Sequence, residues 1–424
     1  MDRIIALTDA NAFFASCLQA ADPKLRGRPV VVAGDPTARR GVILAVSYEA
    51  RRAARGPVRA GMPLGEARRL LPPEVIICPP DNQLFTNYSD RMHAVLERFS
   101  PVNERASIDE VYSDWTGCTH LFGDDPVRMA RLVKAAIRSE IGITVSVGIG
   151  QSKVMAKVAA ELQKPDGLTS LTSETWRERV YPLQVGELFG VGPKTVPKLQ
   201  RMGIYTVGEL AEADPARLNR VFGIYGPHLR ASARGEDSDP VRAHLPEETK
   251  SVSHATTLPR NITDRGEQRL VLLELSDQVG RRLRALGFAA KTVSLQVRYP
   301  SFETTIRSRT LPAPSELTDV IHATACQLLD EHVAPGQAVR LLGVGVHNLC
   351  KPVAAGEMRK QLTLFELEQR EERVPEKTAV PEAKRRTVDQ VMDQIRERFG
   401  GRAIMRSSQL DVSAHAPGWG PRPQ

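Results

Sequence analysis

The stretch that most constrains this chain is Ala106-Ser107-Ile108-Asp109-Glu110-Val111-Tyr112. Two neighbouring carboxylates stand in an otherwise apolar run whose Ile108, Val111 and Tyr112 favour a strand. Successive side chains of a regular strand point to opposite faces. Asp109 and Glu110 therefore reach one ion only if the backbone turns or bulges there. Two close anions also repel each other unless a cation or a shared proton intervenes. Taken alone, such a pair reads first as a solvated turn with two acids. A second stretch supplies a third acid. Ile4-Ile5-Ala6-Leu7 is a short continuous apolar run of the kind that forms a strand buried on both faces. Asp9 follows where that strand leaves the core. Asp9, Asp109 and Glu110 together make a hard, oxygen-only set of the kind Mg²⁺ prefers beside substrate phosphates. It is the ligand set of a two-metal displacement site.

The bulk properties set limits around that site. A chain of 424 residues holds about three domains. No apolar run approaches the roughly 18 residues needed to span a bilayer, and the N-terminus lacks a signal-peptide pattern. The 5 cysteines contain no CxxC spacing, which argues against structural zinc and for a reducing compartment, read here as the cytoplasm. The net charge is +8, and its distribution is uneven. Residues 10–79 carry eleven Lys/Arg against five Asp/Glu, a basic patch suited to phosphate-bearing partners.

Three motifs in order carry a resemblance. Thr8-Asp9 with Phe13-Phe14-Ala15, Ser47-Tyr48-Glu49-Ala50-Arg51, and Ser107-Ile108-Asp109-Glu110 resemble the Y-family translesion DNA polymerases in order and spacing. The likeness runs from about Ile4 to about Leu349, and a motif beyond it extends the match. It implies a multidomain α+β fold, a right-hand polymerase with a ferredoxin-like palm, small fingers, a helix-hairpin-helix thumb and an α/β little finger.

The pattern along the chain fits that organisation. Residues 1–10 and 80–167 read as one domain, the palm, split by an insertion. Helical spacing covers 82–99, a strand 107–113, a helix 127–141 and a strand 144–149. Ser152 is placed to cap a helix over 153–163. Residues 11–79 are the insertion, the fingers, with short strands at 29–33 and 42–45 and helices at 48–54 and 63–71. Tyr48 and Arg51 lie three apart and share a helix face. The arginine can grip a triphosphate bidentately, while Tyr48 equally suits a half-buried packing role. Residues 168–240 form a helical thumb in which Phe189-Gly190-Val191-Gly192-Pro193-Lys194-Thr195 makes a glycine hairpin. Gly190 and Gly192 let backbone amides approach a phosphate, and Lys194 and Lys198 add charge. Residues 241–250 are a tether.

Residues 251–350 form a second α/β unit, the little finger. Thr292, Ser294, Gln296 and Arg298 alternate with apolar residues, as do Thr305, Arg307 and Arg309 with Ile306 and Ser308. One sheet face then reads as hydroxylic and basic, suited to a nucleic-acid backbone, or else as a plain solvent-facing side. Residues 351–424 turn charged and proline-bearing, as a flexible tail does. Within them Gln361-Leu362-Thr363-Leu364-Phe365 matches the bacterial sliding-clamp binding motif, the alternative being an amphipathic turn against the body. A later helix over 388–399, with apolar Val388, Val391, Met392, Ile395 and Phe399, has no assigned function.

The resemblance implies a DNA-directed DNA polymerase, a nucleotidyltransferase joining a deoxynucleoside triphosphate to a primer 3′-hydroxyl on template DNA. By it, Asp9, Asp109 and Glu110 are catalytic and hold two Mg²⁺ ions, with the backbone carbonyl of Ala10 as a further ligand. Tyr48, Arg51, Lys164, Phe13 and Phe14 bind the nucleotide, Phe14 excluding a ribose 2′-hydroxyl. Lys164 otherwise reads as a helix C-terminal lysine favourable to the dipole. Gly190, Gly192, Lys194, Lys198, Arg298, Arg307 and Arg309 contact DNA, and Gln361, Leu362, Leu364 and Phe365 dock on a sliding clamp. The expected state is a monomer without membrane contact. Asn11, Leu18 and Ala45 depart from the commonest family pattern of Asp, Glu and Thr, and 52–59 reads slightly long. Two other classes compete: a non-catalytic clamp-bound repair scaffold, and a two-metal nuclease or phosphatase.

Overall fold

The computed structural model describes residues 3–34, 41–242, 249–352, 382–401 and 403–406. The chain divides into two compact units, Met1–His244 and Leu245–Gln424.

The first unit is built on a five-stranded sheet. Its elements begin with β1 (Ile5–Ala10) and α1 (Phe13–Ala21). A small three-stranded layer follows: β2 (Val30–Ala33), β3 (Ile43–Val46), α2 (Tyr48–Ala53), α3 (Leu64–Leu70) and β4 (Ile76–Cys78), in sheet order β3-β2-β4. The chain then returns through α4 (Asn82–Glu97), β5 (Asn103–Arg105), β6 (Glu110–Asp114), α5 (Pro126–Ile141), β7 (Val145–Gly150), α6 (Lys153–Leu162) and β8 (Leu168–Ser170). Their order is β5-β6-β1-β7-β8. All neighbours are antiparallel except β7 and β8, which run parallel.

Local chemistry sets the helix ends. The Asp125 side chain accepts from the Val127 N–H, Pro126 fills the first helical turn, and Gly142 closes α5 at φ 82°. The Ser152 hydroxyl caps α6 by accepting from the Met155 N–H. The centre of the sheet is apolar on both sides. Ala6 and Ala10 face a cluster with Phe85, Met92, Val133 and Ile137 of α4 and α5. Ile5 and Leu7 face Ala156 and Ala160 of α6.

α6 comes unusually close to the sheet because β7 is small on that side. A Cβ at Gly148 would stand 2.1 Å from the Ala156 carbonyl oxygen and 2.2 Å from the Ala160 nitrogen. Only glycine admits a helix backbone at that distance.

Beyond β8 lie five short helices: α7 (Ser173–Arg179), α8 (Val196–Arg201), α9 (Val207–Glu212), α10 (Pro215–Phe222) and α11 (Tyr225–Ala233). Their core, around Trp176, Leu199, Leu210 and Leu218, also takes in Met155, Val158 and Ala159 of α6. α6 is therefore shared between the sheet and the helical piece. Leu168–Ser170, expected at the start of the helical piece, instead pairs with β7 as the last strand of this sheet.

The second unit has β9 (Ser251–Ile262), α12 (Arg265–Ala285), β10 (Ala289–Arg298), β11 (Thr304–Ser315), α13 (Thr318–His332) and β12 (Val339–Cys350). The antiparallel sheet, in order β11-β10-β12-β9, has α12 and α13 on one face. A last helix, α14 (Glu382–Phe399), is docked on the same unit. The expected tail of 351–424 thus contains an ordered helix. Its contacts are ionic: Arg284 pairs with Asp389 and Asp393, and Arg396 with Asp277. The apolar residues read on this helix are only partly covered, Ile395 being half-buried. Met392 is buried between Asp389 and Arg396, while Val388, Val391 and Phe399 are exposed. Residues 361–365 lie outside the described residues.

The register corrects a second expectation. Arg309 is directly across from Val293, and Arg307 from Leu295. Cross-strand partners share a face, so both arginines lie on the helix-covered side. Arg309 there donates to Gln327 and Glu331 of α13. Arg298 is on the open face, beside Gln296 and Ser294.

Gly148→Ala should lower unfolding free energy in a urea titration by about 3 kcal/mol, the upper end for overpacking. A change below about 0.5 kcal/mol, the level of an ordinary surface substitution, would mean that α6 can withdraw freely from β7.

Candidate active site

β1 and β6 pair so that Asp9 is directly opposite Glu110. The two carboxylates thus start as cross-strand neighbours on the α6 face. Like charges so placed destabilise a sheet, and α6 brings the compensation. The Lys157 ammonium donates to Glu110 at 2.7 Å, to Glu161 at 2.8 Å and to Asp9 at 3.3 Å. Lys164 donates to Asp9 at 2.7 Å and to Glu161 at 2.9 Å. Asp9 and Lys157 are buried, at 3% and 7% exposure.

Protonation follows the geometry. Burial pushes the Glu110 carboxyl above its ordinary value, against the hydrogen bond and charge of Lys157. Burial opposes the charged form of Lys157, but its bonds to Glu110 and Glu161 outweigh that and raise its pKa. Lys164 is raised by Asp9 and Glu161 against the same opposition. Glu161 is held low by both lysines despite its burial cost.

Asp109 stands apart from this group. The strand expected over 107–113 begins only at Glu110, because the chain bends before it. The N–H groups of Ala106 and Ser107 both donate to the Glu110 carbonyl, and the Ala10 N–H donates to the Asp109 carbonyl. The Asp109 carboxylate accepts from the Ser107 hydroxyl. It lies within electrostatic range of α1, where burial and then the Asp109 charge push the Cys17 thiol up.

The oxygens of Asp9, Glu110 and Glu161 lie within 4.8 Å of one another. This donor set is all carboxylate and suits a hard divalent cation. The two ammonium groups already supply positive charge at these oxygens. The sequence reading missed Lys157 and Glu161. Their i,i+4 spacing on the expected 153–163 helix was visible, but the helix face that meets Asp9 was not.

The remaining expected residues surround the cluster or lie elsewhere. Phe13 is buried and Phe14 half-buried at the start of α1, with the Phe14 ring centre 4.5 Å from that of Phe85. The Ser47 hydroxyl caps α2 by accepting from the Ala50 N–H, so the helix starts at Tyr48. The Arg51 guanidinium lies 4.9 Å from the centre of the Tyr48 ring. Burial raises the Tyr48 phenol, with Arg51 and Lys164 opposing. Tyr48 thus feels the charge of the Asp9–Lys164 group. In the helical piece, Gly190 has φ 92° and its carbonyl accepts from the Tyr225 hydroxyl. A Cβ at Gly192 would meet nothing within 4 Å. Lys194 and Lys198 are exposed. The Phe189 ring, at the start of this hairpin, lies 5.9 Å from the Lys157 ammonium. Arg298, Arg307 and Arg309 belong to the second unit.

Comparison with known proteins now bears on this arrangement. A solved Y-family DNA polymerase chimera superposes with a TM-score of 0.73, at 24% identity, covering 82% of this chain and 100% of that one. The fold is therefore that of a Y-family DNA polymerase. The impB/mucB/samB family model matches residues 8–161, and the model for that family's C-terminal domain matches 249–364. DNA polymerase IV of Moorella thermoacetica is 42% identical over 409 residues, 96% of each chain. DNA polymerase IV of Pelotomaculum thermopropionicum is 39% identical over 96% of this chain and 95% of that one. The chain belongs to the impB/mucB/samB family, in the group of the DNA polymerases IV. No described helix is long and apolar enough to cross a membrane.

Lys157→Met would leave three carboxylates facing Lys164 alone. In EDTA the variant should lose about 3 kcal/mol of stability, the scale for breaking a buried pair, and excess Mg²⁺ should return part of it. Equal melting of parent and variant in EDTA would show that Lys157 does not balance the cluster.

Proposed function

We propose that this protein is a template-directed DNA polymerase that performs translesion synthesis by two-metal nucleotidyl transfer at Asp9, Asp109 and Glu110. It is a nucleotidyltransferase, acting on primer-template DNA and deoxynucleoside triphosphates. The observation that carries the reading is the opposition of Asp9 and Glu110, with Asp109 next in the chain, on a sheet of the family's fold. Two Mg²⁺ ions held by these acids and the Ala10 carbonyl would acidify the primer 3′-hydroxyl and neutralise the triphosphate. Glu110 would help hold the ion that acidifies the hydroxyl, and Asp9 and Asp109 would help hold both.

The other residues bind and orient. Arg51 and Tyr48 share one face of α2 and act together on the phosphates, the guanidinium as a fork and the phenol as a single donor. Lys164 adds a third cation from the turn after α6. Phe13 is packed in the core behind Phe14, which excludes a ribose 2′-hydroxyl. Exposed Lys194 and Lys198, with the backbone of Gly190 and Gly192, hold the DNA backbone without reading bases. Arg298 and the edge residues Arg307 and Arg309 serve the same backbone from the second unit, from different sides of its sheet. The protein works as a monomer in the cytoplasm, in keeping with its free cysteines.

Gln361, Leu362, Leu364 and Phe365 tether the polymerase to a sliding clamp. Each buried apolar side chain is worth about 1.5–3 kcal/mol, and ordering the segment takes back several, so micromolar affinity is expected. Replacing Leu364 and Phe365 with Ala should leave extension on bare primer-template intact and remove its stimulation by loaded clamp. Undiminished stimulation would place the tether elsewhere.

Primer extension with labelled DNA tests the central reading. Asp109→Ala and Glu110→Ala should each abolish extension while DNA binding, followed by anisotropy, survives. Near-parent extension by either would remove that acid from the reaction, whereas degradation of the primer by the parent would indicate a nuclease.

A further inference from the structure

Asn11 lies between β1 and α1 and is 2% exposed. Both ends of its amide are used. Oδ1 accepts from the Ser146 hydroxyl at 2.9 Å, and Nδ2 donates to the Thr144 hydroxyl at 3.1 Å. Its backbone N–H donates to the Thr144 carbonyl at 3.0 Å, and its carbonyl accepts from the Ser16 hydroxyl of α1. The Ser146 hydroxyl in turn accepts from the Gly167 N–H at 3.3 Å. One side chain therefore joins the entry to α1, strand β7 and the turn that carries Lys164.

We infer that Asn11 is a positioning residue for sugar discrimination, holding α1 and thereby the Phe14 ring in place. This rests on the reading of Phe14 as the sugar gate and deepens it. A gate rejects one hydroxyl only if its ring is held to within about 0.5 Å. Packing supplies part of that: Phe13, Ala15 and Cys17 are buried on the core side of α1. Another side, that of Ser16 and Gln19, borders open space. A cavity of about 240 Å³, lined in part by Ser16, Gln19, Tyr48, Glu49 and Thr144, borders the helix there. Apolar contact sets how deep α1 sits, and directional bonds fix it on the side of this space, where Gln19 donates to Glu49 and to the Arg28 carbonyl. The Asn11 amide adds two more, two residues before the helix, where Ala12 turns at φ 47°.

The amide is also the residue type this place needs. It donates to Thr144 and accepts from Ser146, whereas a carboxylate would need the Thr144 hydroxyl to turn and donate, and an apolar side chain leaves buried Ser146 without its acceptor. A carboxylate would also add a further buried acid two residues from Asp9.

The test compares kcat/KM for dATP and ATP opposite template thymine in the parent, Phe14→Ala, Asn11→Ala, Thr144→Val and the Asn11→Ala/Phe14→Ala double variant. Phe14→Ala should relax the preference for dATP most. Asn11→Ala should relax it by about tenfold, the scale of a lost buried hydrogen bond, and Thr144→Val should move it in the same direction. The double variant should be no less selective than Phe14→Ala alone, because Asn11 acts through that ring. Thr144→Val decides the matter if Asn11→Ala does not fold. If Phe14→Ala keeps the parent preference, the gate reading falls and takes this inference with it. If Phe14→Ala relaxes selection while Asn11→Ala and Thr144→Val slow both nucleotides equally, the inference alone is overturned. Multiplying effects in the double variant overturn it too.

Discussion

Two carboxylates held opposite each other on adjacent strands are the constraint on which this molecule depends. Asp9 and Glu110 repel, and burial raises the cost by removing water. The first unit answers with Lys157 and Lys164, which with Glu161 form a chain of alternating charge. Three acids and two ammonium groups leave the cluster with one negative charge in excess. A site so arranged is close to neutral without added ions, yet keeps oxygens that attract them. That is the compromise a metal-dependent site requires: carboxylates pre-organised before the cation arrives, at a tolerable cost in folding.

The position of α6 makes this balance possible. Its sheet-facing side rests on Ile5 and Leu7 and passes over Gly148, so the lysine and glutamate one turn apart arrive above Asp9. Its other side is built into the core of the helical piece through Met155 and Val158. Its first turn is tied by Lys153 to Glu104 of β5 and to Asp239, and by the Val154 N–H to Asp237. Val241 then packs under Ile5, Leu7 and Tyr112. The segment leaving the helical piece thus crosses back over the sheet, and α6 is fixed at both ends and on two sides. A shift of the hairpin that begins at Phe189 would be felt at Lys157, whose ammonium faces that ring, and so at the carboxylates.

The acids and the fold around them were legible because strands declare themselves over a few residues. An apolar run ending in Asp9, and an Asp-Glu pair beside Val111 and Tyr112, already imply a buried sheet with charge at its end. Pairing between elements was harder to read. Lys157 and Glu161 share a helix face by spacing alone, but which face meets Asp9 depends on Gly148 and on the crossing of α6. The alternation over β10 and β11 revealed two faces on each strand without matching them. That match is made by the hairpin at 299–303, whose register puts Arg309 across from Val293 and under α13. A one-residue change in such a turn would exchange the faces. Asn11 was visible as a departure from the family pattern, but its meaning lay in Thr144 and Ser146, more than 130 positions away.

The second unit shows the opposite use of charge. α14 is held by Arg284, Asp389, Arg396 and Asp277, all nearly buried. Burial pushes the Asp277 carboxyl up, and the Arg396, Arg406 and Arg284 charges work against that rise. Buried ion pairs of this sort contribute little net stability, since desolvation offsets their attraction. Their effect is to define geometry. An apolar stripe such as Val388, Val391 and Phe399 could slide along α12 and α13 with small loss. A guanidinium bonded at once to Asp393, Asp389 and the Glu316 carbonyl, as Arg284 is, admits one register. The docked side of the helix therefore combines charged Asp389 and Arg396 with apolar Met392, while Val388, Val391 and Phe399 stay exposed.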